Sequence, residues 1–311
     1  MNAILQRIDS AKHVVVIAHV NPDADSLGSA SAFYTHLLRL HKKVSFFCAT
    51  KEIDQKLSCI PWFDKVRNSF SSSADLAISF DCADASRLGV EVECDLINID
   101  HHTTNTRYAT INLVESCMST TLLLYNFFQE NGISINKKMA TAIYAGVLDD
   151  SSAFLDDAID GTTFAAVSEL IELGADHKLC NNSIVKSISL GAFRLKALMY
   201  RNMHLYKEAR VAFFCVTLED LKETGALGKD CESVLEEALY LPSVELSILL
   251  RQNSDGSIKG SVRSNSQIDA CKIAGHFFGG GHKSRAGFTI HENISLKVLK
   301  NRILKLLDEE M

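Results

Sequence analysis

The 311-residue chain has a net charge of −6, with 47% hydrophobic and 23% charged residues. That length suits two globular domains, and the acidic balance argues against a protein that coats long DNA or RNA through a basic surface. No apolar run approaches the ~18 residues a membrane span needs. The nine cysteines are scattered with no C-x-x-C pair, which argues against a zinc ribbon or disulfide framework and suits a reducing cytoplasm. The first residues show no basic and apolar pattern of a secretory signal.

Residues 2–11 read as a short helix. The run Val14–Ala18 is apolar at every position, as expected of a strand buried on both faces. It stops at His19, is followed by Asp23 and Asp25, and leads through Gly28-Ser29 into a helix over 28–40. A second strand spans Val44–Ala49, and residues 51–70 form an irregular connection with a short helix. Leu76–Phe80 is a third strand, ending in Asp81, and Leu96–Ile99 a fourth, ending in Asp100-His101-His102. Helices over 117–131, 136–148 and 161–173 follow, the second leading into Asp149-Asp150 and the third stopped by Gly174. Strands with acidic residues at their ends, then helices, indicate an α/β domain with a mostly parallel sheet over 1–180.

Residues 181–205 read as a connecting helix. Beyond it, over 206–311, the rhythm changes to a smaller α+β domain. Strands are expected at 210–216, 244–250 and 258–263, and helices at 230–239 and 267–277. A glycine loop, Gly279-Gly-Gly-His-Lys-Ser-Arg-Ala-Gly287, precedes a strand from Phe288 and a final helix from about 295.

The chemistry is concentrated at the ends of elements. A lone Asp after a strand is usually a cap or turn residue. Here His19/Asp23/Asp25, Asp81, Asp100-His101-His102 and Asp149-Asp150 recur in order, each at such an end. Carboxyl ends of parallel strands are where open α/β sheets keep their sites. Imidazole nitrogen with carboxylate oxygen suits Mn²⁺ or a related first-row ion. Two His and four Asp are enough for two metals that share a carboxylate, the arrangement of a two-metal clamp on phosphate. In the second domain, Gly279, Gly280 and Gly281 allow backbone amides to approach an anion. His282 offers a donor and Arg263 a bidentate fork. Phe277-Phe278 reads equally as a base-stacking platform or as core, and the helix over 117–131 reads as packing against the sheet.

These motifs, His19-Val-Asn-Pro-Asp23-Ala-Asp25, Asp81, Asp100-His101-His102 and Gly146-Val-Leu-Asp-Asp150, resemble those of the DHH phosphoesterase family. Gly279-Gly-Gly-His282 with Arg263 resembles the DHHA1 domain of its nano-RNase and phosphoadenosine-phosphate phosphatase branch. The resemblance implies a DHH catalytic domain, a helical linker and a DHHA1 substrate-binding domain, with two divalent ions, Mn²⁺ first and Mg²⁺ or Co²⁺ as alternatives. It implies that His19 and Asp23 bind one metal and Asp25 the other, and that Asp81 bridges them. It also makes His101 a ligand, turns His102 to the scissile phosphate and has Asp100 orient the imidazoles. The fourth motif supplies one ligand, placed at Asp150 with Asp149 as the alternative. Asn105 would contact substrate or pin its loop.

The expected function is hydrolysis of short oligonucleotides, of the 3′-phosphate of adenosine 3′,5′-bisphosphate, or of both, with substrate held across an interdomain cleft. A cyclic- or linear-dinucleotide phosphodiesterase is the alternative on the same site. A processive single-strand exonuclease would need further domains, and a non-catalytic nucleotide-binding module would be expected to have lost ligands. The expected partner is a small nucleotide, with no long nucleic acid and no membrane. The family resemblance adds a homodimer.

Overall fold

The computed structural model describes residues 3–265, 268–292 and 294–310, with the side chains of residues 309 and 310 left aside. Asn2 and Gln267, the first residues of two expected helices, lie outside that set. The chain divides into two compact units, Met1–Ser187 and Ile188–Met311.

In the first unit, α1 (Ala3–Ser10), β1 (His13–Ala18), α2 (Ala24–Arg39) and β2 (Lys43–Phe47) are followed by β3 (Val66–Arg67), β4 (Leu76–Phe80), β5 (Asp95–Asp100) and β6 (Ile111–Val114). Helices α3 (Thr120–Glu130), α4 (Lys137–Asp150), α5 (Gly161–Glu172) and α6 (His177–Cys180) complete it. The six strands form one parallel sheet in the order β3-β2-β1-β4-β5-β6. The winding reverses between β1 and β4, so these neighbours mark the switch point, where side chains beyond the strand ends face an open crevice.

The uninterrupted apolar run of β1 is explained by burial on both faces. Val14, Val16 and Ala18 pack under α2, α3 and α4 in the main core. Val15 and Ile17 face a second cluster with Ala77, Cys82 and Leu88. Helix α2 is buried along nearly its whole length and lies against α4. Gly28 permits that approach, because a Cβ there would stand 2.5 Å from the Ala142 carbonyl oxygen.

Two boundaries differ from expectation for a local reason. Helix α2 begins four residues early because Asp23 caps it, its carboxylate accepting the Ser26 amide; Asp25 therefore lies inside the helix. Helix α4 runs on through Asp150, which places the fourth acidic pair in a helical last turn. Strand β6 was not expected: Ile-Asn-Leu-Val is only half-buried at the sheet edge.

The second unit contains α7 (Leu190–Arg201), β7 (His204–Tyr206), β8 (Val211–Val216), α8 (Leu218–Thr224), α9 (Glu232–Ala238), β9 (Leu246–Gln252), β10 (Ile258–Ser264), α10 (Ala270–Gly275), β11 (Gly280–Gly281), β12 (Arg285–Ile290) and α11 (Leu296–Glu310). Its sheet runs β11-β12-β10-β9-β8-β7, antiparallel except for β8 with β9. Helices α10 and α11 cover one face; α7 and α9 pack on the other.

The continuous connecting helix expected over 181–205 is corrected. Residues 181–185 form a π-helical turn, α7 starts only at Leu190, where Ser189 caps it, and His204 already belongs to a strand. Strand β12 also begins at Arg285, inside the stretch read as a glycine loop.

Candidate metal centre

His19 follows β1 and Asp81 follows β4, the two strands at the switch point. Their side chains meet with His19 Nε2 3.3 Å from Asp81 Oδ2, and the same nitrogen is 3.3 Å from Asp23 Oδ2. His101 Nε2, beyond β5, is 3.5 Å from Asp81 Oδ1 and 3.5 Å from Asp150 Oδ2. Three sets of donors converge closely enough for a shared cation: His19/Asp23/Asp81, Asp25/His101/Asp150 and Asp81/His101/His102. Asp81 and His101 each belong to two of these sets.

The fit to divalent cations rests on the geometry and chemistry of these donors. Each imidazole is oriented through Nδ1: His19 to the Val20 carbonyl (2.9 Å), His101 to the Cys117 carbonyl (3.0 Å) and His102 to Asp100 (2.8 Å). Such contacts leave Nε2 as the metal- or substrate-facing atom. His19 Nε2 is buried without a hydrogen-bond partner, a costly arrangement unless a ligand completes it. The 3.3–3.5 Å separations exceed ordinary hydrogen bonds, yet neighbouring donors around an ion held at ~2.1 Å stand roughly 3 to 3.5 Å apart. The residues present fit hard divalent ions.

Electrostatics agree. Burial, then the charges of Asp81 and Asp150, raise Asp25 well above the ordinary carboxylate range. Burial, reinforced by Asp81 and Asp23, pushes Asp150 up to about 7 against the opposing pull of His101. Burial disfavours charge on His19, but Asp23 and Asp81 outweigh it and raise the imidazole to about 9. Crowded carboxylates of this kind are relieved by positive charge among them.

The supporting shell explains why these side chains stay in place. The carboxylate of Asp25, from α2, reaches the start of α3. Its Oδ1 accepts the Thr121 amide (2.8 Å) and hydroxyl (2.6 Å), and its Oδ2 accepts the Thr120 amide (2.7 Å). Thr120 also donates its hydroxyl to Asp81 Oδ1 at 3.0 Å. Reading this helix as packing alone missed both threonines; the carboxylate-to-helix-start pairing joins residues 95 positions apart. Gly146 of α4 has no room for a side chain, since a Cβ would lie 2.7 Å from Asp25 Oδ1.

Asp81 is itself in the left-handed region, φ 59°, unfavourable for a residue with a Cβ. The Cys82 carbonyl beyond it is held by amide groups of both Asn98 and Asn105. Asn105 also donates to Asp100 Oδ2 (2.5 Å), and its carbonyl accepts the Arg107 amide. Its polar atoms are therefore committed to pinning the loop. Asp149 accepts the Ala24 amide at the start of α2, whereas Asp150 faces His101.

The second unit contains a cavity of about 480 Å³ on the α9 side of its sheet. Arg263, Gly280 and Gly281 line it, as do Arg251, Lys259 and Arg285, while Gly279 and His282 do not. Gly279 is demanded by packing, because a Cβ would meet the Gly287 carbonyl oxygen at 2.3 Å. His282 is exposed and closes the β11–β12 turn through its amide on the Arg285 carbonyl. Phe277 stacks on Phe288 at 4.7 Å between ring centres, whereas Phe278 is fully exposed at φ 57°.

The comparisons with known proteins give the class, a hydrolase acting on phosphoesters. Residues 13–147 match the model of the DHH family, N-terminal domain, and residues 211–311 match that of the DHHA1 domain. The chain carries a DHH-family N-terminal domain in its first unit and a DHHA1 domain in its second.

It is 26% identical over 304 residues to the Thermus thermophilus protein named bifunctional oligoribonuclease and PAP phosphatase NrnA, covering 96% of this chain and 90% of that one. The protein of the same name from Bacillus subtilis is 23% identical over 295 residues, covering 93% and 92%. The fold is shared with the crystal structure of an exopolyphosphatase-related protein from Bacteroides fragilis. The TM-score is 0.87 at 23% identity, over 97% of this chain and 94% of that one. No helix among the described residues is long and apolar enough to cross a membrane.

Proposed function

We propose that this chain is a two-metal phosphoesterase that hydrolyses short oligonucleotides, removes the 3′-phosphate of adenosine 3′,5′-bisphosphate, or does both. The observation that carries the reading is the convergence of six donors into His19/Asp23/Asp81 and Asp25/His101/Asp150, with Asp81 also reaching His101. The names of the Thermus and Bacillus relatives support the substrate class. Residues 1–180 would form the catalytic domain and 206–311 the substrate-binding domain.

His19 and Asp23 would hold one ion, Asp25, His101 and Asp150 the other, and Asp81 both. The oxygen and nitrogen donors favour Mn²⁺, with Mg²⁺ and Co²⁺ as alternatives. Bound ions would supply Lewis acidity toward phosphate and an acidified water.

The protein's own part is to hold and charge the groups around them. His102 donates Nδ1–H to Asp100, and that bond raises its imidazole above the ordinary range. A protonated His102 presents Nε2–H to a phosphate oxygen and stabilises charge that grows during in-line attack. Burial opposes ionisation of Asp100, but His102 and Asn105 outweigh it and keep the carboxylate ionised. In the second unit, Arg263 and the glycine backbone at 280–281 bind a phosphate remote from the reaction. Nine cysteines, none bridged, support a reducing cytoplasm, and light scattering would check for a homodimer.

The test is kcat/KM for the full-length protein with Mn²⁺, Mg²⁺ or Co²⁺. Substrates are RNAs of two to five nucleotides, adenosine 3′,5′-bisphosphate, linear and cyclic dinucleotides, and long RNA. We expect short substrates to exceed long RNA by at least about a hundredfold, with Mn²⁺ the best activator. Equal rates on short and long RNA would contradict the reading.

A further inference from the structure

Helix α3 opens on three hydroxyl residues, and each hydroxyl has a different task. Ser119 is the cap and accepts the Leu122 amide at 3.0 Å. Thr121 gives its hydroxyl to Asp25 Oδ1 at 2.6 Å. Thr120 serves two carboxylates at once: its amide goes to Asp25 Oδ2 at 2.7 Å and its hydroxyl to Asp81 Oδ1 at 3.0 Å. Both of its donors are spent on acids from two different elements, α2 and the end of β4. Thr120 is fully buried, a setting in which a polar group is costly unless it is paired.

The two oxygens of Asp81 face different donor sets. Oδ2 lies 3.3 Å from His19 Nε2, whereas Oδ1 lies 3.5 Å from His101 Nε2 and 3.6 Å from His102 Nδ1. Among the described residues, only the Thr120 hydroxyl approaches this carboxylate at an ordinary hydrogen-bond distance. The last torsion of an aspartate is broad, so contacts rather than the rotamer set the plane of its carboxylate. Thr120 is the contact that fixes which way the Asp81 carboxylate turns. The turn matters because a carboxylate between two cations can be used in two ways. With one oxygen toward each cation it joins them; with both oxygens on one cation it leaves the other short of a ligand.

We propose that Thr120 is a positioning residue that selects the joining mode of Asp81: its hydroxyl holds Oδ1 on the His101 side and leaves Oδ2 to the His19 side. The inference rests on the two-metal reading and deepens it, because a protein hydroxyl rather than the ions sets the bridge. Without that hydroxyl, Asp81 can turn both oxygens to one ion, and the consequence is unequal. The ion of Asp25, His101 and Asp150 keeps those three ligands, whereas the ion of His19 and Asp23 keeps two. The His19 ion is therefore the one that weakens, and the two ions cease to share a carboxylate. Asp25 keeps its hydrogen bonds in either case, since Thr120 holds it through the backbone amide and Thr121 supplies the others.

The experiment compares full-length wild type, Thr120→Val and Thr120→Ser. Each is titrated with Mn²⁺ by calorimetry, and each Mn²⁺-loaded protein is examined by electron paramagnetic resonance. Valine keeps the shape of threonine and drops the hydroxyl, and serine keeps the hydroxyl. The wild type should bind two ions and give the spectrum of an exchange-coupled pair. Thr120→Val should weaken one of the two ions by about tenfold or more, the order of one hydrogen bond to a charged group. Its spectrum should become that of isolated ions. Thr120→Ser should restore the coupled spectrum and bring both affinities within about threefold of wild type. Circular dichroism of the metal-free variants checks folding, and Thr120→Ala, which also drops the hydroxyl, stands in for a Thr120→Val protein that does not fold. Wild-type affinities with an unchanged coupled spectrum in Thr120→Val, equal weakening of both ions, or no rescue by serine would overturn the inference and leave the two-metal reading intact. A wild type that binds a single ion would remove that reading and the inference with it.

Discussion

The two units solve opposite electrostatic problems. At the switch point of the first, Asp23, Asp25, Asp81 and Asp150 crowd around two imidazoles in a largely buried setting. On the sheet face of the second, Arg251, Lys259, Arg263 and Arg285 gather around one cavity, with Glu232 bound to two of them. Neither concentration is fully neutralised from within: Glu232 and Glu236 pair with three of the basic side chains and leave Arg251 without a carboxylate among the described residues. An acidic cluster is completed by cations and a basic one by anions; in the proposed function these are the metal ions and a phosphate. The acidic site is held rigidly, by three hydrogen bonds to Asp25 and a strained Asp81. The basic site is built from long side chains on a sheet surface. Geometry therefore matters most in the first unit and charge in the second.

The largest expected effect comes from removing the carboxylate that belongs to two donor sets. Asp81→Asn should lower kcat by at least about a thousandfold and abolish the rise in melting temperature on adding Mn²⁺. Metal-dependent turnover near the wild-type rate would break the shared-ligand assignment. The counterpart in the second unit is Arg263→Gln. Loss of a charged phosphate contact should raise KM by about ten- to a hundredfold while changing kcat by less than about threefold. An equal fall in kcat would mean that Arg263 acts in the transition state, which removes the contrast between the units.

Gly146→Ala tests rigidity without altering charge. The added methyl group would press on Thr121 and on Asp25 Oδ1. Overpacking should cost about 1–3 kcal/mol of stability and weaken Mn²⁺ binding by about tenfold, by calorimetry. Unchanged metal affinity would show that the centre tolerates displacement of Asp25.

The smallest effect concerns a buried imidazole outside both sites. Burial, with a smaller contribution from Arg39, lowers His36 to about 4. The folded state therefore favours the neutral ring, and the unfolded chain takes up the proton first as pH falls below 6.5. Stability from this residue is present above pH 6.5 and is lost progressively toward pH 4, by up to about 3 kcal/mol. His36→Leu should consequently melt with a shallower loss between pH 6.5 and 4.5 than the wild type. Parallel pH profiles would contradict this origin.

The first unit was legible because its signals are local. An apolar run ending in His or Asp identifies both a buried strand and the donor at its end, so His19, Asp81 and His101 could be placed from neighbouring residues. The choice between Asp149 and Asp150 was not local. It depends on α4 continuing through both, which turns one toward Ala24 and the other toward His101. Thr120 and Thr121 were hidden because an N-terminal helical turn reads as packing until its carboxylate partner is known. In the second unit the glycine run points to Gly279 and His282, which lie outside the cavity lining; Gly279 is also required by backbone packing, and His282 closes a turn. Arg251, Lys259 and Arg285 come together only through strand register, which single-strand patterns do not carry.

The central claim is that the acidic cluster is a two-ion site joined by Asp81. Native mass spectrometry of the full-length protein after Mn²⁺ loading and desalting counts the ions directly. Two Mn²⁺ per chain in the wild type, falling to one or none in Asp81→Asn, is the predicted result. One ion or none in the wild type, or two ions retained in Asp81→Asn, would contradict it.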